Sequence, residues 1–273
     1  MKSIAVCIGK GGQWKTSLTI NMAALLNENG FKTLVIDCDV QANATGTYRI
    51  DPEGIATLYD CWVPRKSMNP MQCIQSADWG DIIPGDSYLQ EVTTGIISGT
   101  LTYKSFKEKV IDKIEGYDFI LCDCPPDLTN AINRSVLSSV DEVIIPTRGD
   151  QYATEGLKAT VNLIDSVRNP LMDEAGEVVG PPLNKELSIN GLVFTDFKMN
   201  NSCKNDYINA QAIAEELGTK LYFQFIRGCK DGSDAIGEQM PAVKYKPYCN
   251  SSLDYKQFIQ EFIESENESK KGV

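Results

Sequence analysis

Gly9-Lys10-Gly11-Gly12-Gln13-Trp14-Lys15-Thr16-Ser17 is the stretch on which the reading of the chain turns. The apolar run SIAVCI (3–8) precedes it and reads as a strand. Residues 15–29 follow and read as a helix stopped by Gly30. A strand, a glycine loop and a Lys-Thr pair at a helix start form the arrangement that holds a triphosphate. Glycines let backbone N–H groups approach the phosphates, and the helix N-terminus adds partial positive charge. The Lys15 ammonium would reach the β- and γ-phosphates, and the Thr16 hydroxyl would bind Mg²⁺. Against the pattern G-x-x-x-x-G-K-[ST], Gly9 and Lys15-Thr16 fit, but Trp14 stands where the second glycine belongs. Taken alone, the stretch is also compatible with a glycine-rich βα turn that holds no ligand.

Two further segments favour the ligand-binding reading. Residues 33–36 form an apolar run closed by Asp37-Cys38-Asp39, and residues 117–122 form another closed by Asp123. Open parallel sheets bind ligands at the carboxyl ends of their strands. An aspartate at such an end is where a P-loop enzyme holds Mg²⁺ through water. Asp37, Asp39 and Asp123 are therefore expected to meet the phosphate loop.

Outward from these segments, strand-like and helix-like runs alternate. Strands are expected at 80–83, 142–145, 189–194 and 220–225, and helices at 102–115, 128–139, 153–167, 205–217 and 253–265. The alternation predicts an α/β fold with a doubly wound, mostly parallel sheet and helices on both faces. Runs such as SIAVCI and FILC do not alternate polar with apolar residues, which fits strands buried on both sides. One domain spanning 1–264 is expected, with DEAGEVVGPPLNK (173–185) as a loop insert and 265–273 as a disordered tail.

Composition narrows the chemistry. The 273 residues carry a formal net charge of −11 and contain no histidine. Ser-His-Asp triads, Cys-His dyads, His-ligated zinc and imidazole general bases are excluded. No apolar run approaches the roughly 20 residues of a membrane span, and the few residues before the first glycines are too short for a signal-peptide core. A cytoplasmic protein is expected, its nine cysteines reduced and mostly buried. The pair Cys122-x-Cys124 is one residue short of a C-x-x-C motif. Surplus acidity argues against a general nucleic-acid binder. Residues 191–250, however, hold 7 basic and 7 acidic side chains, so a local basic patch is compatible with the total.

Four collinear motifs carry a resemblance to the ParA/MinD group of deviant Walker A P-loop ATPases. KGGQWKTS (10–17) resembles the group's phosphate loop with its additional lysine. DCDVQANAT (37–45) is similar to its D-x-D-P-Q-x-N-x-T segment, with Val40 in place of proline. DFILCDCPPDL (118–128) and VIIPTRGDQYATEGL (143–157) are similar to two further motifs of the group. The resemblance extends to about residue 262 and is strongest with ParA-type partition ATPases.

Carried over residue by residue, the resemblance implies an ATP- and Mg²⁺-dependent ATPase. Lys10 would cross a nucleotide-sandwiched homodimer to the partner's phosphates. Lys15 is the loop lysine, Thr16 the Mg²⁺ ligand, Asp39 the carboxylate that positions water and a further candidate at the metal site, and Asp123 the switch carboxylate held to Mg²⁺. Nucleotide contacts would come from Gly9, Lys10, Gly11, Gly12, Gln13, Trp14, Lys15, Thr16, Ser17, Asp123 and Pro125. Thr195, Asp196, Ile226 and Arg227 are expected around the adenine, from loops after later strands. The resemblance also implies non-specific DNA binding at the nucleoid and a ParB-like centromere-binding partner. Lys198, Lys204, Arg227, Lys230, Lys244 and Lys246 are candidate DNA contacts, with Lys104, Lys107 and Lys113 on one helix as a second set. The alternative is a positioning or regulatory module that acts on a protein cargo or on mobile-element replication, with little DNA binding. A membrane role is not expected, because the polar side of the last helix, DYKQFIQEFIESENE, is acidic. Two readings of Trp14 stay open. Its backbone could be helix-like with the indole pointing away, or the indole could narrow the phosphate pocket or pack against a dimer partner.

Overall fold

A computed structural model describes residues 1–9, 12, 14–63, 67–148, 151–173 and 175–271. In chain order, β1 (Lys2–Val6) leads to α1 (Lys15–Glu28), and β2 (Thr33–Asp37) to α2 (Asn43–Thr47) and α3 (Leu58–Trp62). β3 (Gln75–Ala77) and β4 (Gly80–Ile83) precede α4 (Gln90–Ile97) and α5 (Ser105–Lys109). β5 (Phe119–Asp123), α6 (Ala131–Leu137), β6 (Glu142–Thr147) and α7 (Gln151–Arg168) follow. Beyond them lie β7 (Leu171–Met172), β8 (Val178–Gly180), β9 (Ser188–Phe194) and α8 (Asn201–Glu216). The chain closes with α9 (Lys230–Gly237), α10 (Ala242–Tyr245) and α11 (Asn250–Lys271).

Seven strands form one sheet in the order β3-β4-β2-β5-β1-β6-β9, parallel except for β3 at one edge. The period-2 alternation of strand side chains splits the core in two. Ala5, Leu34, Ile36, Ile120 and Val143 face α3, α5, α6 and α7 through Trp62, Phe106, Val136 and Ile164. Ile4, Val6, Val35, Leu121 and Ile144 face α1 and α11 through Leu18, Met22, Phe258 and Phe262. The expected doubly wound sheet with helices on both faces is therefore the observed one.

Register places the site. Val6 pairs with Asp123, and Asp37 pairs with the same Asp123 from the other side. Three strands thus end abreast, and the loop after β1 starts beside both aspartates. β5 and β6 flank β1, so the chain winds outward in both directions from it. That is the switch point at which such sheets bind ligands.

Several elements differ from expectation for identifiable reasons. Residues 220–225 do not extend the sheet as a strand; only isolated bridges, Leu192–Leu221 and Phe197–Arg227, form there. The N–H groups of Phe223 and Gln224 donate instead to the Glu261 carboxylate on α11, at 2.8 and 3.0 Å. The helix expected over 102–115 breaks at Val110 into α5 and a 3₁₀ turn over Ile111–Lys113. Lys104, Lys107 and Lys113 therefore do not share one helix. The insert at 173–185 contributes β8, half of a small hairpin with β7.

Of the tail expected to be disordered over 265–273, the described residues are helical instead, and 272 and 273 lie outside the described residues. α11 continues to Lys271, and Glu266 is buried within it. Lys2 Nζ bridges Glu142 at 3.0 Å and Glu266 at 2.6 Å, and Asn190 Nδ2 donates to both carboxylates at 2.7 and 3.2 Å. Ser265 accepts from Lys220 Nζ at 2.5 Å. Buried charges persist only when paired in this way. Deleting residues 265–273 is therefore expected to lower stability by about 1–3 kcal/mol. Urea unfolding would read this as a lower midpoint with an unchanged slope, whereas loss of a disordered tail would leave the midpoint where it is.

Candidate active site

The carboxyl ends of β1, β2 and β5 supply the phosphate side of the site. Gly12 holds a left-handed φ of 71° in the loop after β1. Lys15 opens α1, nearly fully buried, and its Nζ approaches the Ile8 carbonyl at 3.4 Å. Burial lowers its affinity for a proton, an effect that Asp123 opposes. Thr16 Oγ1 donates to Asp123 Oδ2 at 2.7 Å, and Thr19 Oγ1 to Asp123 Oδ1 at 3.4 Å. Gly12, Trp14, Lys15, Thr16, Ser17, Asp39 and Pro126 line one cleft with Gln41, Asn43 and Arg148. Lys10, Gly11 and Gln13 lie outside the described residues.

The three aspartates do not act as one cluster. Asp37 is fully buried and turned toward α2, accepting the N–H and the hydroxyl of Thr45, each at 2.8 Å. It fixes the loop that carries Asp39 and does not line the cleft. Asp39 does line it, with one carboxylate oxygen accepting the Gln41 N–H at 3.0 Å. Among the described residues, no group of three or more His, Cys, Asp and Glu side chains is arranged to hold a metal ion. Pro125 is buried and its carbonyl accepts from Asn133 at 3.0 Å; its neighbour Pro126 is the proline on the cleft.

Burial, and then repulsion from a neighbouring carboxylate, raise two of these carboxyls. Desolvation pushes Asp37 up to about 6, against the Thr45 hydrogen bonds. Desolvation and then the Asp37 charge push Asp123 up to about 8, against the Thr16 hydrogen bond and Lys15. The folded protein therefore binds protons here that the unfolded chain has already released above its ordinary carboxyl value of about 4. The resulting stability is complete below that value and is lost as pH rises through about 8. In nucleotide-free protein, Asp123→Asn should raise Tm by on the order of 2–4 °C near pH 9 and change it little near pH 5. Thermal unfolding at the two pH values checks the sign.

A second, narrow cleft adjoins the first, and Thr195, Asp196, Ile226 and Arg227 all line it, together with Trp14, Gly228, Cys229 and Tyr255. Arg227 is clamped by Asp254 of α11 through two side-chain bonds of 2.8 and 2.6 Å. Asp196 adopts a left-handed φ of 55°, and a Cβ on Gly228 would collide with its Oδ1. Glycine is thus required at 228 for these two loops to meet.

Trp14 corrects the helix-like reading of its backbone. It caps α1 at φ 61° and ψ 23°, a left-handed conformation. Such a conformation costs a side chain about 1 kcal/mol or more, and glycine nothing. Trp14 lines both clefts. Trp14→Gly should hold or raise the unfolding midpoint while weakening ATP affinity several-fold, read by calorimetric titration. Unchanged affinity would remove Trp14 from the binding surface.

Arg148 carried no expectation from the sequence. Its guanidinium donates to the Gly12 carbonyl at 3.3 Å and pairs with Asp196, tying the phosphate loop to the second cleft. The available signal was a basic residue just past the carboxyl end of a strand, in VIIPTR. Ser233 and Ile236 of α9 also reach the phosphate cleft from a segment with no assigned role. Of the candidate DNA contacts, Lys198, Arg227, Lys244 and Lys246 are ion-paired with Asp196, Asp254, Glu28 and Asp231. Phe258, Ile259 and Phe262 are buried on α11, as a core face requires. Among the described residues, no helix is long and apolar enough to cross a membrane.

These features define a P-loop nucleotide site on a doubly wound sheet, and comparison with known proteins agrees. A family profile described as an AAA domain matches residues 1–175. The chromosome partitioning protein ParA of Caulobacter vibrioides is 27% identical over 275 residues, covering 98% of this chain and 96% of its own. McdA of Cyanothece, solved as an ATP complex, superposes with a TM-score of 0.78 at 18% identity, over 96% of each chain. The septum site-determining protein MinD of Pyrococcus horikoshii, solved with Mg-ADP, gives 0.73 at 24%, over 96% of this chain and 95% of its own. The chain belongs to this AAA-domain family, as a P-loop ATPase of the ParA/MinD type.

Proposed function

We propose that the protein is a partition ATPase. It binds ATP with Mg²⁺, dimerises around the nucleotide, binds DNA non-specifically and segregates plasmid or chromosomal DNA. A ParB-like centromere-binding partner stimulates its hydrolysis, and it works in the cytoplasm on the nucleoid. The observation that carries the reading is the Thr16–Asp123 hydrogen bond of 2.7 Å beside buried Lys15, at the switch point of the sheet.

The residues fit Mg²⁺. The donors are a hydroxyl and a carboxylate, hard oxygens of the kind this ion prefers. Asp123 is fully buried, and its carboxyl is pushed up to about 8 by burial and then by the adjacent Asp37, so a cation bound beside it would favour the ionised form. When bound with ATP, Mg²⁺ would neutralise charge building on the phosphates. The chain's own groups do the rest. Lys15 supplies positive charge from a desolvated position, where it acts more strongly than in water. Asp39, held by the Gln41 N–H, orients the attacking water. Thr195, Asp196, Ile226 and Arg227 receive the base, with Trp14 as a wall common to base and phosphates. Lys10 completes the partner's site in the dimer. None of these roles needs an imidazole, which suits a chain without histidine.

Mass measurement by light scattering, with and without ATP, tests the cycle. Asp39→Ala should keep the ATP-linked dimer and lower turnover by about 10²–10⁴-fold, the usual contribution of a positioned acid–base group. A protein that stays monomeric with ATP in both forms would overturn the dimer.

One observation favours the second reading, a positioning module with little DNA binding. Four of the six candidate DNA contacts in the 191–250 region already hold carboxylates. The partition reading expects ATP-dependent retention on duplex DNA that falls steeply with salt. The second reading expects no such retention.

A further inference from the structure

Six of the nine cysteines are buried, while Cys203, Cys229 and Cys249 are partly exposed. Buried thiols are shielded from oxidants whatever their neighbours. The exposed three differ in company. Cys203 accepts the Lys198 N–H at 3.2 Å, and its surroundings are the aromatic cluster of Phe194, Phe197 and Tyr207. Cys229 and Cys249 instead face each other around one hydroxyl. Ser251 Oγ lies 3.2 Å from Cys229 Sγ and 3.4 Å from Cys249 Sγ, and Ser252 Oγ lies 3.2 Å from Cys249 Sγ.

Both thiols stand at helix starts. Cys229 caps α9, its sulfur accepting the Gly232 N–H at 3.4 Å. Cys249 immediately precedes the 22-residue α11, and its carbonyl accepts the Leu253 N–H at 3.0 Å. The positive end of a helix favours thiolate over thiol. Burial pushes the Cys249 thiol up, but hydrogen bonds with Ser251, Ser252 and Cys229 outweigh it and bring the group below the ordinary thiol value. The two helix starts are in close approach, since a Cβ on Gly232 would come within 2.8 Å of Ser251 Oγ.

We propose that Cys229 and Cys249 form a reversible thiol–disulfide site that clips α9 to α11. The oxidant is hydrogen peroxide. The Cys249 thiolate attacks the peroxide oxygen, breaking the O–O bond. Cys249 becomes a sulfenic acid, and the peroxide leaves as water after taking up a proton. The Cys229 thiol then displaces the sulfenic hydroxyl, forming the S–S bond and releasing a second water. Two thiols are oxidised and one peroxide is reduced by two electrons. A small dithiol reverses the reaction.

The clip falls at a consequential place. Cys229 lines the second cleft directly after Arg227 and Gly228, and α9 carries Ser233 and Ile236 into the phosphate cleft. Oxidation would therefore fix the segment that joins the two clefts. The disulfide itself is argued from the thiols alone and does not depend on ATP binding.

The test is hydrogen peroxide titration of the full chain, alkylation of remaining thiols and peptide mapping without reductant. The expected result is an intramolecular Cys229–Cys249 peptide that dithiothreitol abolishes, with Cys249 losing its free thiol several-fold faster than Cys203. Cys229→Ser keeps a side chain able to cap α9, so this variant folds. It should accumulate a dimedone-reactive sulfenic acid at Cys249 and yield no cross-link. Equal reactivity of Cys203 and Cys249, or oxidation without a Cys229–Cys249 peptide, overturns the proposal.

Discussion

A lysine and two aspartates share a space from which water is almost excluded. Lys15 is 7% exposed, Asp123 1% and Asp37 0%. Burying charge is costly unless partners offset it, and here Asp123 has Lys15 to offset it and Asp37 to oppose it. The parallel register creates the problem by ending β2 and β5 abreast on two carboxylates. The displacement of both carboxyls toward protonation is its measure. A site tuned only for stability would not keep this surplus. It is reasonable where a ligand brings compensating positive charge, and stability given up in the empty state becomes affinity in the occupied one.

Asp37 shows how the surplus is divided between structure and chemistry. Both of its strong hydrogen bonds go to Thr45, and the same Thr45 hydroxyl accepts from the Gly85 N–H at 2.9 Å. Gly85 packs so closely that a Cβ there would meet the Asp37 carbonyl at 2.7 Å. Asp37, expected at the phosphate loop, is thus a staple for the turn after β2. Asp39, two residues on, is left facing the phosphate cleft. Spacing alone could not separate these roles, because both aspartates follow the same strand.

The central strands were legible in the sequence because burial on both faces leaves uninterrupted apolar runs, as in SIAVCI and FILC. The phosphate loop was legible because glycine, lysine and threonine are each required there for a separate physical reason. What escaped was set by contacts distant in sequence. The run over 220–225 has strand composition, but Glu261 captures the backbone donors of Phe223 and Gln224. The segment from 265 onward has the composition of a solvated tail, yet Lys2, from the opposite end of the chain, and Asn190 hold Glu266 in place. α3 is only five residues long, too short for a periodic pattern, and is fixed by a capping box between Thr57 and Asp60 and by Trp62 donating to Ser105 at 2.9 Å.

Trp14 and Arg148 together explain why the two clefts behave as one site. Glycine at position 14 would leave the turn into α1 unstrained and the clefts continuous. Tryptophan accepts a left-handed backbone and places a large side chain on the wall between them. Arg148 then joins the same two regions electrostatically, through the Gly12 carbonyl on one side and Asp196 on the other. Asp196 is itself strained, at φ 55°, and packed against Gly228, so a shift at either cleft must be felt at the other. Close-packed contacts transmit such shifts as discrete rearrangements rather than smooth deformation. A triphosphate offers Arg148 a stronger partner than a neutral carbonyl. Its arrival would therefore compete with the tie to Gly12.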